Sequence, residues 1–328
     1  MTTIPDRSVD VTTPDAPERD PASDLGSRRI TLEPWGVQVG PLSHLAAERD
    51  RLSRLEFDHL TVRRLGATLG AEVAGVDLCR PLDDDVVADL ARALLEFKVL
   101  FFRDQPLSAD QHVAFARRFG DLEVHPFIPA NPDHPELVRF EKEATVGGYE
   151  NGWHSDVSWR ERPSMGAVLH AVKVPSVGGD TLFADMYAAY EGLDADLRER
   201  IDGLVAVNDY SKVFGHAVKE QDREAMREQH PPVEHPVVRT HPDTGRRLLY
   251  VNRFFTDRIV GMDRASSDAL IDVLAGRAET VEYQCRFGWE PHSVAFWDNR
   301  AVQHYAASDY WPERRVMERA SIVGERPV

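Results

Sequence analysis

From about residue 58 onward the chain is written in short apolar runs, each closed by glycine, proline or a small polar residue. Runs of that kind, rich in β-branched and aromatic residues, form strands. Leu60-Thr61-Val62-Arg63-Arg64-Leu65 alternates, and Ala71-Glu72-Val73-Ala74-Gly75-Val76 follows a glycine turn. Val99-Leu100-Phe101-Phe102 is apolar throughout, as a buried strand would be. Further strands are expected at Gly166 to Val172, Thr181 to Phe183, Val281 to Phe287, Ser293 to Trp297 and Met317 to Val323. Val237 to Thr240 and Leu248 to Val251 flank Asp243-Thr244-Gly245 as a hairpin. Helices are expected over Asp83 to Glu96, Ser108 to Phe119, 187 to 201, 218 to 229 and Ser266 to Ala278. In the first, Val86, Leu90, Ala93 and Leu94 recur at helical spacing behind an acidic start. Ser108 can cap the second. Many short strands with helices outside them predict a mainly β fold with helical insertions, a double-stranded β-helix or jelly roll.

The remaining sequence sets the boundaries. Residues 1–29 are rich in Asp, Pro, Thr and Arg, which predicts a disordered, acidic and proline-rich N-terminal arm. Residues 30–57 read as an N-terminal extension in which Leu45, Leu52 and Leu55 form one face of a short helix. Residues 58–328 read as the jelly-roll domain. Of 328 residues, 42% are apolar, enough for a sizeable core. The net charge of -16 excludes bulk attraction to nucleic acid or to anionic membranes, while leaving room for a basic pocket. No run of apolar residues is long enough to span a bilayer, and the first residues lack the apolar stretch of a signal peptide. Cys79 and Cys285 are too far apart in sequence for a disulfide framework, and they make no C-x-x-C motif. A cytoplasmic protein is expected.

The chemistry gathers in two segments. Trp153-His154-Ser155-Asp156 places an imidazole and a carboxylate at i and i+2, which point the same way on an extended backbone. A third ligand must come from another strand. His304 is the best placed, because it follows the apolar run Ser293 to Trp297 and the turn Asp298-Asn299-Arg300. Two imidazoles and one carboxylate with open positions left over is the ligand set of a non-haem Fe(II) oxygenase. Arg315, eleven residues after His304, can hold a carboxylate co-substrate. His59, His112, His134, His230 and His292 read as exposed or hydrogen-bonded side chains rather than ligands.

Six ordered motifs extend this pattern: Ala74-Gly75-Val76-Asp77-Leu78, Phe101-Phe102-Arg103-Asp104-Gln105, Trp153-His154-Ser155-Asp156-Val157, Gly178-Gly179-Asp180-Thr181, His235-Pro236-Val237-Val238-Arg239-Thr240-His241-Pro242, and Trp297-Asp298-Asn299-Arg300 running on to His304 and Arg315. Over residues 58–328 the chain resembles the taurine dioxygenase-like family of Fe(II)/2-oxoglutarate-dependent oxygenases. The resemblance implies that His154, Asp156 and His304 bind Fe(II), and that Thr181 and Arg315 hold the distal carboxylate of 2-oxoglutarate. It implies use of O2, with oxidative decarboxylation of 2-oxoglutarate to succinate and CO2 and removal of a hydrogen atom from a substrate C–H. A homo-oligomer, dimer or tetramer, is implied as well. Arg314 is expected to face solvent, since neighbouring strand residues alternate faces.

Family members that take taurine hold its sulfonate with a histidine and an arginine beside aromatic rings. The matching residues are His125, Arg319, Phe214 and Phe255. Two positions depart from that pattern: Ile128 replaces a tyrosine, and Glu150, with Asn151 beside it, replaces an asparagine. These departures count against taurine, because a site built to hydrogen-bond a group loses much when its partner is absent. The expected substrate is a small anion: another sulfonate, a sulfate ester, or a carboxylate or amino acid bracketed by Glu150 and Arg319. Hydroxylation can end as such, as C–S or C–O cleavage, or give way to desaturation. Alternatives are a tailoring oxygenase acting on an amino-acid-derived carboxylate, and a non-catalytic jelly-roll sensor of a metal or 2-oxo acid.

Overall fold

A computed structural model describes residues 30–32, 34, 37–146 and 150–328; the expected arm over residues 1–29 lies outside these. Two sheets organise the site. Their strands are β1 (Thr61–Arg64), β2 (Ala71–Ala74), β3 (Val99–Phe102), β4 (Leu137–Lys142), β5 (Ser164–Lys173), β6 (Thr181–Asp185), β7 (Gln284–Phe287), β8 (Val294–Asp298), β9 (Val302–Ala306) and β10 (Arg315–Val323). The larger sheet has the order β1-β2-β3-β8-β5-β10-β4, and the smaller has the order β7-β6-β9. Neighbouring strands are antiparallel except β2 and β3.

The period-2 alternation of the central strands explains both layers. Phe101, Leu169, Trp297 and Met317 point inward and pack with Phe183, Phe287 and Val302 of the smaller sheet. Phe102, Val168, Phe296 and Ile322 point outward, against helices α1 (Asp84–Phe97) and α2 (Ala109–Arg117). With both faces covered, the strands read as apolar runs rather than as alternating ones. Helix α2 opens on a full capping box: the Ser108 hydroxyl accepts from Gln111 N–H at 3.2 Å, and the Gln111 side chain accepts from Ser108 N–H at 2.8 Å.

The expected helices and strands form with some changes. The helix over Leu45–Leu52 forms with Leu45 and Leu52 buried, while Leu55 lies past its end. The single helix expected over 187–201 is two, Met186–Glu191 and Ala195–Ile201, because Asp194 starts a new one by accepting from Leu197 N–H at 2.7 Å. The helix at 218–229 begins as a 3₁₀ turn, Glu220–Asp222, and becomes α-helical over Arg223–Gln229. That at 266–278 starts earlier, at Arg264, where the Asp263 carboxylate caps it, and ends at Ala275. Val281–Tyr283 is a 3₁₀ turn, so only the second half of that expected strand pairs. Strands β4 and β9 escape the sequence pattern because polar side chains interrupt them, and several of those side chains point into the site. No helix among the described residues is long and apolar enough to cross a membrane.

Candidate active site

His154 adds to the free edge of β9. Its N–H and carbonyl exchange hydrogen bonds with the carbonyl and N–H of His304, at 3.1 and 2.8 Å. This pairing brings together two imidazoles that are 150 residues apart in the chain, with ring centres 4.3 Å apart. Asp156 is held by Asn299, a buried turn residue between β8 and β9. The Asn299 amide oxygen accepts from Asp156 N–H at 2.7 Å, and its NH2 donates to the carbonyls of Asp156 and Ser164 at 3.0 and 3.1 Å. Ser155 Oγ donates to the Val302 carbonyl at 2.8 Å and ties the same segment to β9. Just beyond, Val157 has φ 46°, a left-handed value uncommon for a β-branched residue, and turns the chain away.

The ligand atoms of His154, Asp156 and His304 lie within 4.8 Å of one another, and all three residues are buried. Each histidine Nε2 stands 3.9 Å from an Asp156 oxygen, too far for a hydrogen bond but suited to a shared cation. The His154 Nδ1 lies 2.7 Å from the Gly152 carbonyl, so it carries the proton and leaves the Nε2 lone pair facing the centre. Burial keeps both imidazoles neutral, with His304 pulled down to about 3. Burial would raise the Asp156 carboxyl, but the Arg319 guanidinium and the two imidazoles outweigh it and hold it at about 2. Asp156 Oδ2 is buried and without a hydrogen-bond donor. Two neutral imidazoles and an ionised carboxylate with an open oxygen fit a divalent ion with N/O preference. Among the described residues no other group of three such side chains converges in this way.

Two cavities meet at this centre and share Phe140, Glu150, His154 and Arg319. The first is also lined by Thr181, Arg315, Lys142 and Met317. Arg315, Met317 and Arg319 are alternate residues of β10 and so share a face, while Lys142 sits opposite Arg315 on β4. Arg315 is buried, with Nε and one terminal nitrogen lacking acceptors, and burial draws its pKa below the usual guanidinium value. The rings of Tyr310 and Trp289 flank it at 5.7 and 6.0 Å. Trp289 Nε1 donates to Thr181 Oγ1 at 3.0 Å, which leaves the threonine's own proton to donate elsewhere. A planar cation with open donors beside a free hydroxyl suits a carboxylate.

The second cavity is lined by His125, Ile128, Val213, Phe214, Phe254, Phe255 and Arg319. His125 Nδ1 accepts from the Phe127 and Ile128 N–H groups, each at 3.2 Å, so its Nε2 carries a proton to donate. Burial pulls this imidazole down to about 3, with Arg319 and Arg160 acting in the same direction, so it is a neutral donor. Arg319 Nη1 donates to Asp156 Oδ1 at 2.7 Å. Phe254 stacks on His154 at 4.7 Å with an interplanar angle of 7°. The cavity combines a cation, a neutral N–H donor and aromatic walls.

Of the residues singled out in the sequence, His125, Ile128, Glu150, Phe214, Phe255 and Arg319 meet in this second cavity. Asn151 does not: it is exposed and lines neither cavity. Glu150 is ion-paired to Lys142 at 3.0 Å. Arg314 faces outward and bonds Glu141. Sequence reasoning missed Lys142, Phe140, Phe254, Trp289 and the bracing role of Asn299. The last alone had a signal, an asparagine in the turn leading to the distal histidine.

Comparison with known proteins agrees with this geometry. The profile of the family described as "Taurine catabolism dioxygenase TauD, TfdA family" matches residues 61–321. An alpha-ketoglutarate-dependent sulfate ester dioxygenase of Pseudomonas putida is 38% identical, over 82% of this chain and 91% of its own. An (S)-phenoxypropionate/alpha-ketoglutarate dioxygenase of Sphingobium herbicidovorans is 37% identical, over 80% and 94%. The crystal structure of a putative alpha-ketoglutarate-dependent taurine dioxygenase from Burkholderia xenovorans superposes with a TM-score of 0.72 at 37% identity, covering 82% of this chain and 94% of that one. The chain therefore belongs to the taurine catabolism dioxygenase TauD/TfdA family, and is an oxidoreductase that uses Fe(II), 2-oxoglutarate and O2.

Proposed function

We propose that this enzyme, built on a double-stranded β-helix spanning residues 58–328, oxidises a singly charged organic anion with an apolar body, a sulfate ester being the leading class. The observation that carries the reading is the second cavity, which Arg319, the neutral donor His125 and aromatic rings line together with His154 and Asp156 of the metal triad. His154, Asp156 and His304 hold Fe(II); Thr181 and Arg315 hold the distal carboxylate of 2-oxoglutarate. The bound ion and co-substrate supply O2 activation and removal of a substrate hydrogen atom, with succinate and CO2 formed. The chain's own residues supply the rest. Arg319 and His125 fix the anionic head, Phe214, Phe254 and Phe255 hold the apolar body and exclude water, and Asn299 fixes the carboxylate ligand.

The relatives named for sulfate esters and phenoxypropionate support a substrate with an oxygen on the attacked carbon. Hydroxylation there gives a hemiacetal-type product that collapses to a carbonyl compound and the released anion. An amino acid fits less well, because the carboxylate that would pair its ammonium, Glu150, is already paired with Lys142. The working unit is a cytoplasmic homo-oligomer.

The test is anaerobic reconstitution with Fe(II) and 2-oxoglutarate, then O2 with a panel of alkyl sulfates, alkyl sulfonates, aryloxy carboxylates and free amino acids. Succinate formed one-for-one with loss of an alkyl sulfate is expected. Tight coupling to an amino acid instead, abolished in Glu150→Gln, would overturn the substrate class.

A further inference from the structure

The two imidazoles of the triad are supported in different ways. His304 belongs to strand β9, and the buried core rings of Trp297 and Phe183 back it, with centres 5.1 and 6.0 Å away. His154 lies outside the strands and joins β9 through one isolated bridge. The Gly152 carbonyl holds its Nδ1–H, which fixes one edge of the ring but not its plane. The plane is met by Phe254, stacked face to face at 4.7 Å and 7°. Phe254 is fixed in turn by Asn252. The Asn252 amide oxygen accepts from the N–H groups of Phe254 and Phe255 at 3.1 and 2.9 Å, and its NH2 donates to Ser158 Oγ at 3.1 Å. Asn252 and Ser158 are both buried, and Ser158 follows the ligand segment directly, so the turn that carries Phe254 is tied to the chain that carries His154 and Asp156.

The stack needs room at one position. A Cβ placed on Gly152 would overlap the ring atoms Cε1 and Cζ of Phe254. The backbone of Gly152 does not lie in the left-handed region, so its conformation makes no demand for glycine; the ring of Phe254 does.

We infer that Phe254 is a positioning residue for the metal centre, holding the plane of the His154 imidazole, and that Gly152 is the residue that admits it. Gly152 then serves His154 twice, through a carbonyl that takes the Nδ1 proton and through a missing side chain. A ligand ring fixed at its edge and on its face keeps Nε2 aimed at the shared centre before the ion arrives. Phe254 also lines the second cavity, so one ring both bounds the substrate chamber and orients a ligand. This inference rests on the assignment of His154 as a metal ligand proposed above.

The test reads metal binding rather than turnover. The metal-free protein is titrated with Co(II), followed by its visible absorption, in the parent and in Phe254→Leu, Phe254→Ala, Gly152→Ala and Gly152→Ala/Phe254→Ala. Phe254→Leu keeps an apolar side chain but no flat face. Both it and Phe254→Ala should weaken Co(II) binding about fivefold. Gly152→Ala drives the ring off His154 and should weaken binding to the same degree. Adding Phe254→Ala to it should cost nothing more, because the two changes remove one contact. Urea unfolding of the same metal-free proteins separates positioning from packing.

Co(II) affinity equal to the parent's in Phe254→Leu or Phe254→Ala would overturn the positioning role, even if those variants are less stable in urea. Losses that multiply in the double variant would overturn the part given to Gly152. If Gly152→Ala does not fold, the two Phe254 variants decide the positioning role alone. A His154→Ala protein that binds Co(II) as tightly as the parent would instead overturn the ligand assignment, and this inference with it.

Discussion

At the scale of single residues, the site works by leaving selected atoms without partners. Arg315 keeps open donors in a buried chamber, and Asp156 keeps an open oxygen beside two neutral imidazoles. Buried polar groups are as a rule hydrogen-bonded, so open donors lining one cavity and an open acceptor lining the other, beside two neutral imidazoles, point to ligands. Arg315→Lys preserves the charge but loses the planar two-point contact, and should weaken 2-oxoglutarate binding about tenfold or more in an anaerobic titration. Asn299 shows the opposite economy, since all of its amide capacity goes to three backbone groups. Asn299→Ala should cost about 3 kcal/mol in urea unfolding, from three lost bonds and the backbone groups left bare. It should also lower Fe(II) affinity, because Asp156 is no longer held. A variant as stable as the parent would show that the turn is fixed by something else.

At the scale of elements, the same β-strands serve as wall and as ligand holder. On β10 the inward residues Arg315, Met317 and Arg319 line the chambers while Ala320 and Ile322 pack outward below α2. Strand β4 was invisible in the sequence because Leu137-Val138-Arg139-Phe140-Glu141-Lys142 mixes core, site and solvent positions in one short run. The outer helices, by contrast, follow local rules. Ser108→Ala removes one half of the α2 capping box and should cost about 1 kcal/mol in urea unfolding. Because α2 packs on the outer face of the sheet, 2-oxoglutarate affinity should not move. A change in affinity would mean that the helix and the chambers are coupled through β10.

At the scale of the whole molecule, the burial of neutral histidines ties stability to pH. Burial lowers His112, His170 and His235 to about 4, and His125 and His304 to about 3. The unfolded chain therefore binds more protons than the folded one from about pH 6.5 down to these values. The contribution is complete about one unit above pH 6.5 and falls as pH drops through it, approaching about 1.4 kcal/mol per unit for each histidine still neutral in the fold. The Asp156 carboxyl acts in the same direction, but at lower pH. Urea unfolding of the metal-free protein at pH 7.5, 6.5 and 5.5 should show a midpoint that falls modestly between the first two, where the unfolded imidazoles are half protonated, and sharply between the second and the third. A midpoint independent of pH would mean that these imidazoles are hydrated in the folded state.

The sequence alone determined the mainly β character, the positions of α1 and α2, and the candidacy of His154, Asp156, His304 and Arg315. Each rests on local information: side-chain periodicity, capping residues, or ligand types at fixed spacing. Only the tertiary structure decided that Lys142 sits opposite Arg315, that Glu150 pairs with Lys142, that Asn151 lies outside, and that two cavities meet at one centre. Those facts depend on pairing between strands far apart in the chain. Such pairing leaves no local periodicity, because a polar residue that points into a site reads in the sequence like one that points into water.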